Sequence, residues 1–170
     1  MRLFNFVAYQ IGWFACVLGA AHGLWWLGPA VVLPLAAVHV WFARHRQSAL
    51  LMLLAVTLTG SAFDQALLSA GWVQYPSSPW PASVLPVWMA ALWLSFATTL
   101  NVSTRWLRNH PVYAAALGAI GGLLAYAGGA RLGAMTWLPD RPVAVVLCLG
   151  FGLLVPLQFK IARRLDGFGE

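Results

Sequence analysis

The sequence is poor in charged side chains, above all in acidic ones. Only 8% of its 170 residues are charged, and Asp and Glu number four against ten Lys and Arg. Hydrophobic residues make up 61% of the chain, and the mean hydropathy is +0.77. A water-soluble domain of this length needs far more charge on its surface. The composition therefore excludes a soluble domain and predicts a protein of the lipid bilayer.

Residues that bind metals or act as nucleophiles are also scarce. Cys16 and Cys148 lie in different apolar segments and have no metal-ligand spacing. The four histidines form no cluster, and the chain has no Gly-x-Ser-x-Gly elbow and no phosphate-binding loop. These absences disfavour membrane di-iron oxygenases, serine hydrolases and nucleotide-dependent enzymes. We expect no metal site and no cofactor.

Apolar runs long enough to cross a bilayer recur along the whole chain. A transmembrane helix needs about 20 such residues, and six segments qualify, at 4–21, 27–43, 48–70, 85–104, 111–130 and 142–161. The connections between them are too short to hold another domain. The sequence predicts a single all-α domain, a polytopic bundle of six transmembrane helices.

The basic residues indicate the orientation of this bundle. The net charge is +6, but no basic tract or stripe suggests a nucleic-acid partner. In a six-span topology, eight basic residues fall on one side: Arg2, Arg44, Arg46, Arg105, Arg108, Lys160, Arg163 and Arg164. Only Arg131 and Arg141 fall on the other. The positive-inside rule then predicts that both termini are cytoplasmic.

Asp64 is the acidic residue that interrupts an apolar run. A carboxylate at membrane depth is costly unless it is paired, protonated or facing a wet cavity, so it marks a functional site. Thr57, Gly60 and Ser61 share its helix face at helical spacing. We expect Asp64 to be the candidate catalytic residue. We also expect it to pair with Arg131, since the two lie about one helical turn apart in depth.

Two sets of polar and aromatic residues are candidate binding sites. In the outer half, Asp64 is accompanied by Arg131, Gln65, Tyr126, His22 and Trp88, a mixture of apolar surface and few polar groups that suits an acyl or isoprenoid lipid. An aromatic belt with one structural ion pair also accounts for this set. In the cytoplasmic half, a polar cluster is expected from Asn5, Gln10, Thr98, Asn101 and Arg105. Plain hydrogen bonding between helices is the alternative there.

The fifth segment carries a stripe of glycines at intervals of three or four residues, which include Gly118, Gly122 and Gly129. Small residues at this spacing let another helix approach closely in a membrane. The stripe predicts a packing face. It is also where a second copy of the chain or another membrane protein would bind.

A set of short segments gives the chain a resemblance to a known family. These segments are Asn5 with Gln10, 13–17, Gly60 with Asp64, 92–93, 96–101, Ser103, 106–107, 121–122, Tyr126 and 129–133. Together they resemble a bacterial family of small inner-membrane proteins, the domain of unknown function numbered two-eight-seven-eight. The resemblance implies a multi-pass protein of the bacterial inner membrane and transfers no catalytic residue. Gene clusters of its members, which hold proteins like cyclopropane-fatty-acid synthases and flavin-dependent proteins, imply lipid modification or envelope stress.

Three functions remain open. The protein is a lipid-binding or lipid-modifying enzyme or subunit with Asp64 as acid or base, with membrane lipid as its partner. Alternatively, it is a small permease in which Asp64 holds a proton or cation. The third possibility is a non-catalytic interaction protein whose polar groups only hold the helices together.

Overall fold

Six α-helices and a two-stranded ribbon form the described part of the chain. The computed structural model describes residues 2–137 and 142–169. The helices are α1 (Arg2–Ala21), α2 (Leu27–Trp41), α3 (Arg46–Ser69), α4 (Val87–Ala97), α5 (Pro111–Arg131) and α6 (Val143–Arg164). The strands β1 (Val73–Gln74) and β2 (Thr136–Trp137) lie in the loops that follow α3 and α5. The expected all-helical architecture is confirmed.

The surface and the length of the helices indicate a membrane protein. Among the described residues, α1, α3, α5 and α6 are long and apolar enough to cross a bilayer. Their outward side chains are apolar, with Leu124 65% and Leu153 77% exposed. The other two helices are shorter, at 15 residues for α2 and 11 for α4. At about 1.5 Å per residue, α4 extends only about 16 Å, roughly half of a hydrocarbon core.

The helices pack as two groups that meet at α3. In one group α4 is central and contacts α1, α2 and α3, while α1 also packs along α2. The other group is the α5–α6 hairpin, which contacts the first mainly through α6 on α3. Two large clusters of buried apolar side chains fill the interior between these helices. Since α6 makes this contact, α5 is held away from α1.

Both chain termini lie at the same end of the bundle, which we call the terminal end. Near the start of α1, Asn5 bonds to Thr98 and Ser103, and just after α6 the carbonyl of Leu165 bonds to Asn101. The eight basic residues that the six-span topology puts on one side belong to helix ends and connections at the terminal end. Arg131 lies at the opposite end, and Arg141 is outside the described residues.

Helix α4 ends earlier than predicted. The expected span ran over 85–104, but the helix stops at Ala97, and turns lead to a 3₁₀ helix at Arg105–Asn109. The hydroxyls of Thr98 and Thr99 each donate to a carbonyl three residues earlier at 2.7 Å. Such side-chain bonds compete with the helical pattern. The turn at 98–102 is buried, as non-helical backbone at membrane depth must be.

The opposite end is closed by the ribbon. Val73 pairs with Trp137 and Gln74 with Thr136, antiparallel, so the loops after α3 and α5 are joined. Gly71 and Gly133 precede the strands at φ angles of 69° and 86°, which glycine adopts without strain. No sequence pattern predicts this ribbon, because two-residue strands are too short to show an alternation.

The glycine face of α5 is used within the chain. A Cβ on Gly118 would lie 2.8 Å from the Phe151 carbonyl oxygen, and one on Gly122 would overlap the Phe151 ring, so α6 covers both glycines. A Cβ on Gly129 would lie 2.9 Å from Met135. The close packing predicted for the stripe is therefore present. Within the chain this face is occupied by α6 and Met135, and the contact with a second copy or another membrane protein through Gly118, Gly122 and Gly129 stays a prediction.

Candidate functional site

Asp64 lies at the junction of three helices. Its exposure is 0%, and each carboxylate oxygen accepts one hydrogen bond. The indole N–H of Trp93 on α4 donates to Oδ2 at 2.7 Å, and the hydroxyl of Tyr126 on α5 donates to Oδ1. Both donors are neutral. The carboxyl group therefore ties α3 to α4 and α5 through hydrogen bonds, without a salt bridge among the described residues.

Aromatic packing fixes the Trp93 indole over Asp64. One face of the indole stacks on Phe151 of α6, with ring centroids 5.5 Å apart and planes 14° from parallel. On α3, Gly60 leaves the space that the indole fills, since a Cβ there would overlap its ring atoms. Gly60 lies four residues before Asp64, hence on the same helix face. The sequence of α3 thus supplies both the hydrogen-bond acceptor and the gap for the donor.

A chain of hydroxyl groups runs from Asp64 toward the opposite end. The Tyr126 and Tyr75 hydroxyl oxygens are 3.3 Å apart, and the Tyr75 ring packs edge-on against Trp88. Trp88 in turn donates its N–H to the Ser77 carbonyl at 3.1 Å. Because a phenol can donate and accept at once, the protonation of Asp64 is coupled to the direction of the bond between the two tyrosines.

The expected pairing of Asp64 with Arg131 is wrong. Arg131 is exposed at the end of α5, whereas both carboxylate oxygens of Asp64 are taken by Tyr126 and Trp93. Depth alone suggested the pair, but rotation about the helix decides it. Arg131 is five residues beyond Tyr126, which turns it by about 140° around α5. When Tyr126 faces Asp64, Arg131 points away.

Other residues of the predicted outer set lie apart from Asp64. Gln65 accepts the Leu85 N–H at 2.8 Å and donates to the Ser83 carbonyl at 2.9 Å, so it fastens the loop before α4. His22 is exposed and its Nδ1 contacts the Leu18 carbonyl. Of the set, Tyr126 contacts Asp64 directly and Trp88 is linked through Tyr75. Sequence reasoning missed Trp93 and Phe151 as members; the signal for Trp93 was the gap that Gly60 implied.

A cavity of about 270 Å³ lies beside Asp64, between α1 and α5. We call it the α1–α5 cavity. It exists because the α5–α6 hairpin is held by α3 and leaves α5 away from α1. Asp64, Trp93 and Tyr126 lie on its wall, and most of the remaining lining is apolar. Trp13 spans the gap near Gly128, where an added Cβ would lie 3.6 Å from the indole.

The cavity reaches the lipid-facing surface of α5. Leu117, which is 50% exposed on the outside of the bundle, is also part of the lining. Gly121 is exposed and lines it as well, with nothing within 4 Å of the place where a Cβ would stand. A molecule could therefore enter from the side, between the two helices, without passing through the loops.

The polar cluster expected at the terminal end is present in altered form. Asn5 donates to the Thr98 carbonyl at 3.1 Å and accepts from the Ser103 hydroxyl at 2.7 Å, so it bridges both ends of the turn after α4. Gln10 is exposed on the same helix. Because five residues separate it from Asn5, it cannot reach this turn from its own side of α1.

Asn101 and Arg105 belong to a second group, which fastens the segment after α6. Asn101 accepts a bond from Arg108 at 3.1 Å, and Asp166 forms ion pairs with Arg105 at 2.8 Å and with Arg108 at 2.7 Å. Burial on its own raises the pKa of Asp166, but hydrogen bonds from Arg108 and the Phe168 N–H, with both arginine charges, hold that pKa below its ordinary value. Sequence reasoning missed Asp166, because a residue 61 positions from Arg105 gives no local pattern.

Comparison with known families identifies the chain. The family described as Protein of unknown function (DUF2878) matches residues 2–157, so the chain belongs to that family. No curated protein and no solved structure matches it.

Proposed function

We propose that this protein binds a membrane lipid with an acyl or isoprenoid chain in the α1–α5 cavity. Its family has no assigned activity. We further propose that the protein resides in the bacterial inner membrane with both termini in the cytoplasm. The observation that carries the proposal is an apolar cavity that reaches the lipid-facing surface and has a hydrogen-bonded carboxyl group on its wall.

The lining of the cavity favours an apolar chain. Ligand sites are mostly apolar with few polar groups, and their volumes run from about 300 to 1,000 Å³. At about 270 Å³, this cavity suits one chain and not a complete two-chain lipid. A soluble metabolite would leave its polar groups unpaired here, which costs free energy. A lipid chain already resides in the phase from which the cavity is reached.

The hydrogen-bonded group on the wall would recognise a polar group of that lipid. Tyr126 presents a hydroxyl that donates to Asp64 and is paired with the Tyr75 hydroxyl, so a ligand group there would take the place of Tyr75 or bond beside it. A hydroxyl or amide on the ligand near Tyr126 would complete this arrangement. Asp64 and Tyr126 are also the pair through which a proton would be exchanged, if the bound lipid is chemically modified.

The permease alternative receives less support. Proton or cation transport through Asp64 requires polar groups that lead to water on both sides. In the described residues the hydrogen-bonded chain from Asp64 continues only toward Tyr75, and Phe151 packs on the Trp93 indole that covers the carboxylate. The interaction-protein alternative predicts that the cavity holds no specific lipid, which an experiment can decide.

Filling the cavity from Gly121 tests the proposal. In Gly121→Leu the new side chain meets open space at its Cβ and projects into the cavity. Ala116→Leu is the matched control, an exposed position on the same helix outside the lining. Native mass spectrometry after mild detergent extraction should show a retained lipid in wild type and Ala116→Leu, and its loss in Gly121→Leu. Wild-type protein free of bound lipid, or equal retention in both variants, would refute the proposal.

A further inference from the structure

A second cavity, of about 330 Å³, lies at the terminal end between α1, α2 and the turn after α4. It shares no lining residue with the α1–α5 cavity. Val32 and Leu35 of α2 give it an apolar wall, while Asn5, His39 and Thr98 bring polar groups to the same space. We call it the His39 cavity.

His39 is the unsatisfied polar group of this cavity. The side chain is 7% exposed, and its Nε2 is buried without a hydrogen-bond partner among the described residues. Buried polar atoms in folded proteins nearly always have a partner, and an orphan calls for a missing water or ligand. A neutral imidazole nitrogen is a donor or an acceptor, depending on the tautomer. Because His39 lines the cavity, its unpartnered nitrogen is the position where we expect a bound molecule to form a hydrogen bond.

Two of the neighbouring polar side chains, those of Asn5 and Thr98, are already paired. The Asn5 amide donates to the Thr98 carbonyl, and the Thr98 hydroxyl donates to the Ser95 carbonyl at 2.7 Å. No Lys, Arg, Asp or Glu is among the residues that line the cavity in the described part of the chain. A charged head group would be buried there without a counter-charge, which is costly. The lining therefore favours a neutral ligand with one main polar group.

The segment after α6 forms one wall of the cavity. The Phe168 ring packs on the His39 ring with centroids 4.7 Å apart. Asp166 holds this segment to Arg105 and Arg108, and the Gly167 carbonyl accepts the His45 N–H at 3.0 Å. The wall is thus fixed by contacts of the two residues that precede Phe168. Its position leaves Nε2 of His39 facing neither a side chain nor a backbone group with which it could bond.

We propose that the His39 cavity binds a single-chain neutral amphiphile. Its hydroxyl or ester carbonyl bonds to Nε2 of His39, and its hydrocarbon chain lies against Val32 and Leu35. The volume sits at the small end of the range for ligand sites, about 300–1,000 Å³, which fits one chain. This site is separate from the α1–α5 cavity and does not depend on a lipid being bound there.

Photolabelling of the full chain in detergent tests this site. The probe is hexadecanol with a diazirine in its chain, and the labelled peptides are mapped by mass spectrometry. Saturable labelling of the α2 segment around Val32 and Leu35 is expected in wild type. His39→Leu should lower the affinity roughly tenfold, the size expected for one lost hydrogen bond to a buried group. His22→Leu, an exposed histidine at the opposite end, and Gly121→Leu should both label as wild type does.

Competition on the wild-type protein gives an answer that no folding defect can obscure. Unlabelled hexadecanol should displace the probe, whereas hexadecane, without a head group, and hexadecanoate, with a charged one, should displace it poorly. His39→Gln, which keeps a hydrogen-bonding group, should recover part of the binding. Equal competition by hexadecane, stronger competition by hexadecanoate, or unchanged affinity in His39→Leu would overturn the proposal.

Discussion

The contact between Gly60 and Trp93 gives the most direct test of the site. In Gly60→Ala the added methyl group would overlap three atoms of the Trp93 indole. The indole cannot move aside freely, because Phe151 stacks on it. It must therefore shift along α4 or push α3 and α4 apart. Either movement stretches the 2.7 Å bond from its N–H to Asp64.

The expected loss combines two effects. Overpacking of a filled interior costs about 1–3 kcal/mol, and a lost hydrogen bond adds about 0.5–1.5 kcal/mol. In a helix, alanine is more favourable than glycine by up to about 1 kcal/mol. A control that also replaces glycine by alanine includes the same gain. Gly152→Ala on α6 is such a control, since its nearest neighbours would lie 3.7 Å from the new Cβ. The two variants should therefore differ in unfolding free energy by about 1.5–4.5 kcal/mol.

Unfolding in mixed detergent and SDS micelles, followed by circular dichroism, measures this difference. A second comparison, in a Trp93→Leu background, isolates the overlap from any general effect on α3. There the cost of Gly60→Ala should shrink, with a coupling on the order of 1 kcal/mol or more. If Gly60→Ala and Gly152→Ala unfold alike, Trp93 does not occupy this gap. The same follows if Gly60→Ala costs equal unfolding free energy with and without the indole. Either result would contradict the described packing around Asp64.

Three further changes test other parts of the structure. Asn5→Ala should cost about 1–3 kcal/mol of unfolding free energy, because the turn after α4 loses the hydrogen bonds that bridge its ends. Gln10 is exposed on the same helix, so Gln10→Ala should change that free energy by no more than about 0.5 kcal/mol. Equal costs would contradict the bridge. Tyr126→Phe, which removes a donor to Asp64 and the partner of Tyr75, should destabilise more than Tyr75→Phe, and the reverse order in thermal unfolding would contradict the hydroxyl chain. The pKa of Asp166 is lowered in the folded protein. The stability that Asp166 adds is therefore present above its ordinary pKa of about 3.9 and is lost as the pH falls below that value. Below it, hydrogen exchange of residues 165–169 should rise in wild type and show no such step in Asp166→Asn.

Much of the fold follows from hydropathy, and the reason is physical. A bilayer requires each spanning segment to satisfy its own backbone, so apolar length alone places helices. Five of the six predicted segments agree with the helices to within a few residues. The exception is α4, where local bonds from Thr98 and Thr99 end the helix. Hydropathy does not register such bonds, because it scores threonine in the same way whether the residue continues a helix or ends one.

The sequence predicted the centre of the candidate site and one of its two hydrogen-bond partners. Asp64 stands out because a carboxylate inside an apolar run is rare. Its partners depend on how α4 and α5 are rotated about their axes. The amphipathic pattern that would reveal rotation is weak when a helix is apolar on every side. Trp93 was therefore only one of many aromatic residues at similar depth, whereas Tyr126 was grouped with Asp64 and Arg131 was chosen for its charge.

Helix α4 explains why the protein has two separate cavities. Met89, Trp93 and Phe96 lie on one face and line the α1–α5 cavity, whereas Ser95 and Thr98 lie on the other and line the His39 cavity. Trp93 and Ser95 are two residues apart, about 200° around the helix, so α4 is the wall between the two spaces. The Asp64 bond fastens one face and the Asn5 bond fastens the end of the other. A helix that crossed the whole bilayer would put its last turns where the buried turn at 98–102 now lies. The early end of α4, which hydropathy does not predict, is therefore what lets Asn5 reach the backbone there and shape the second cavity.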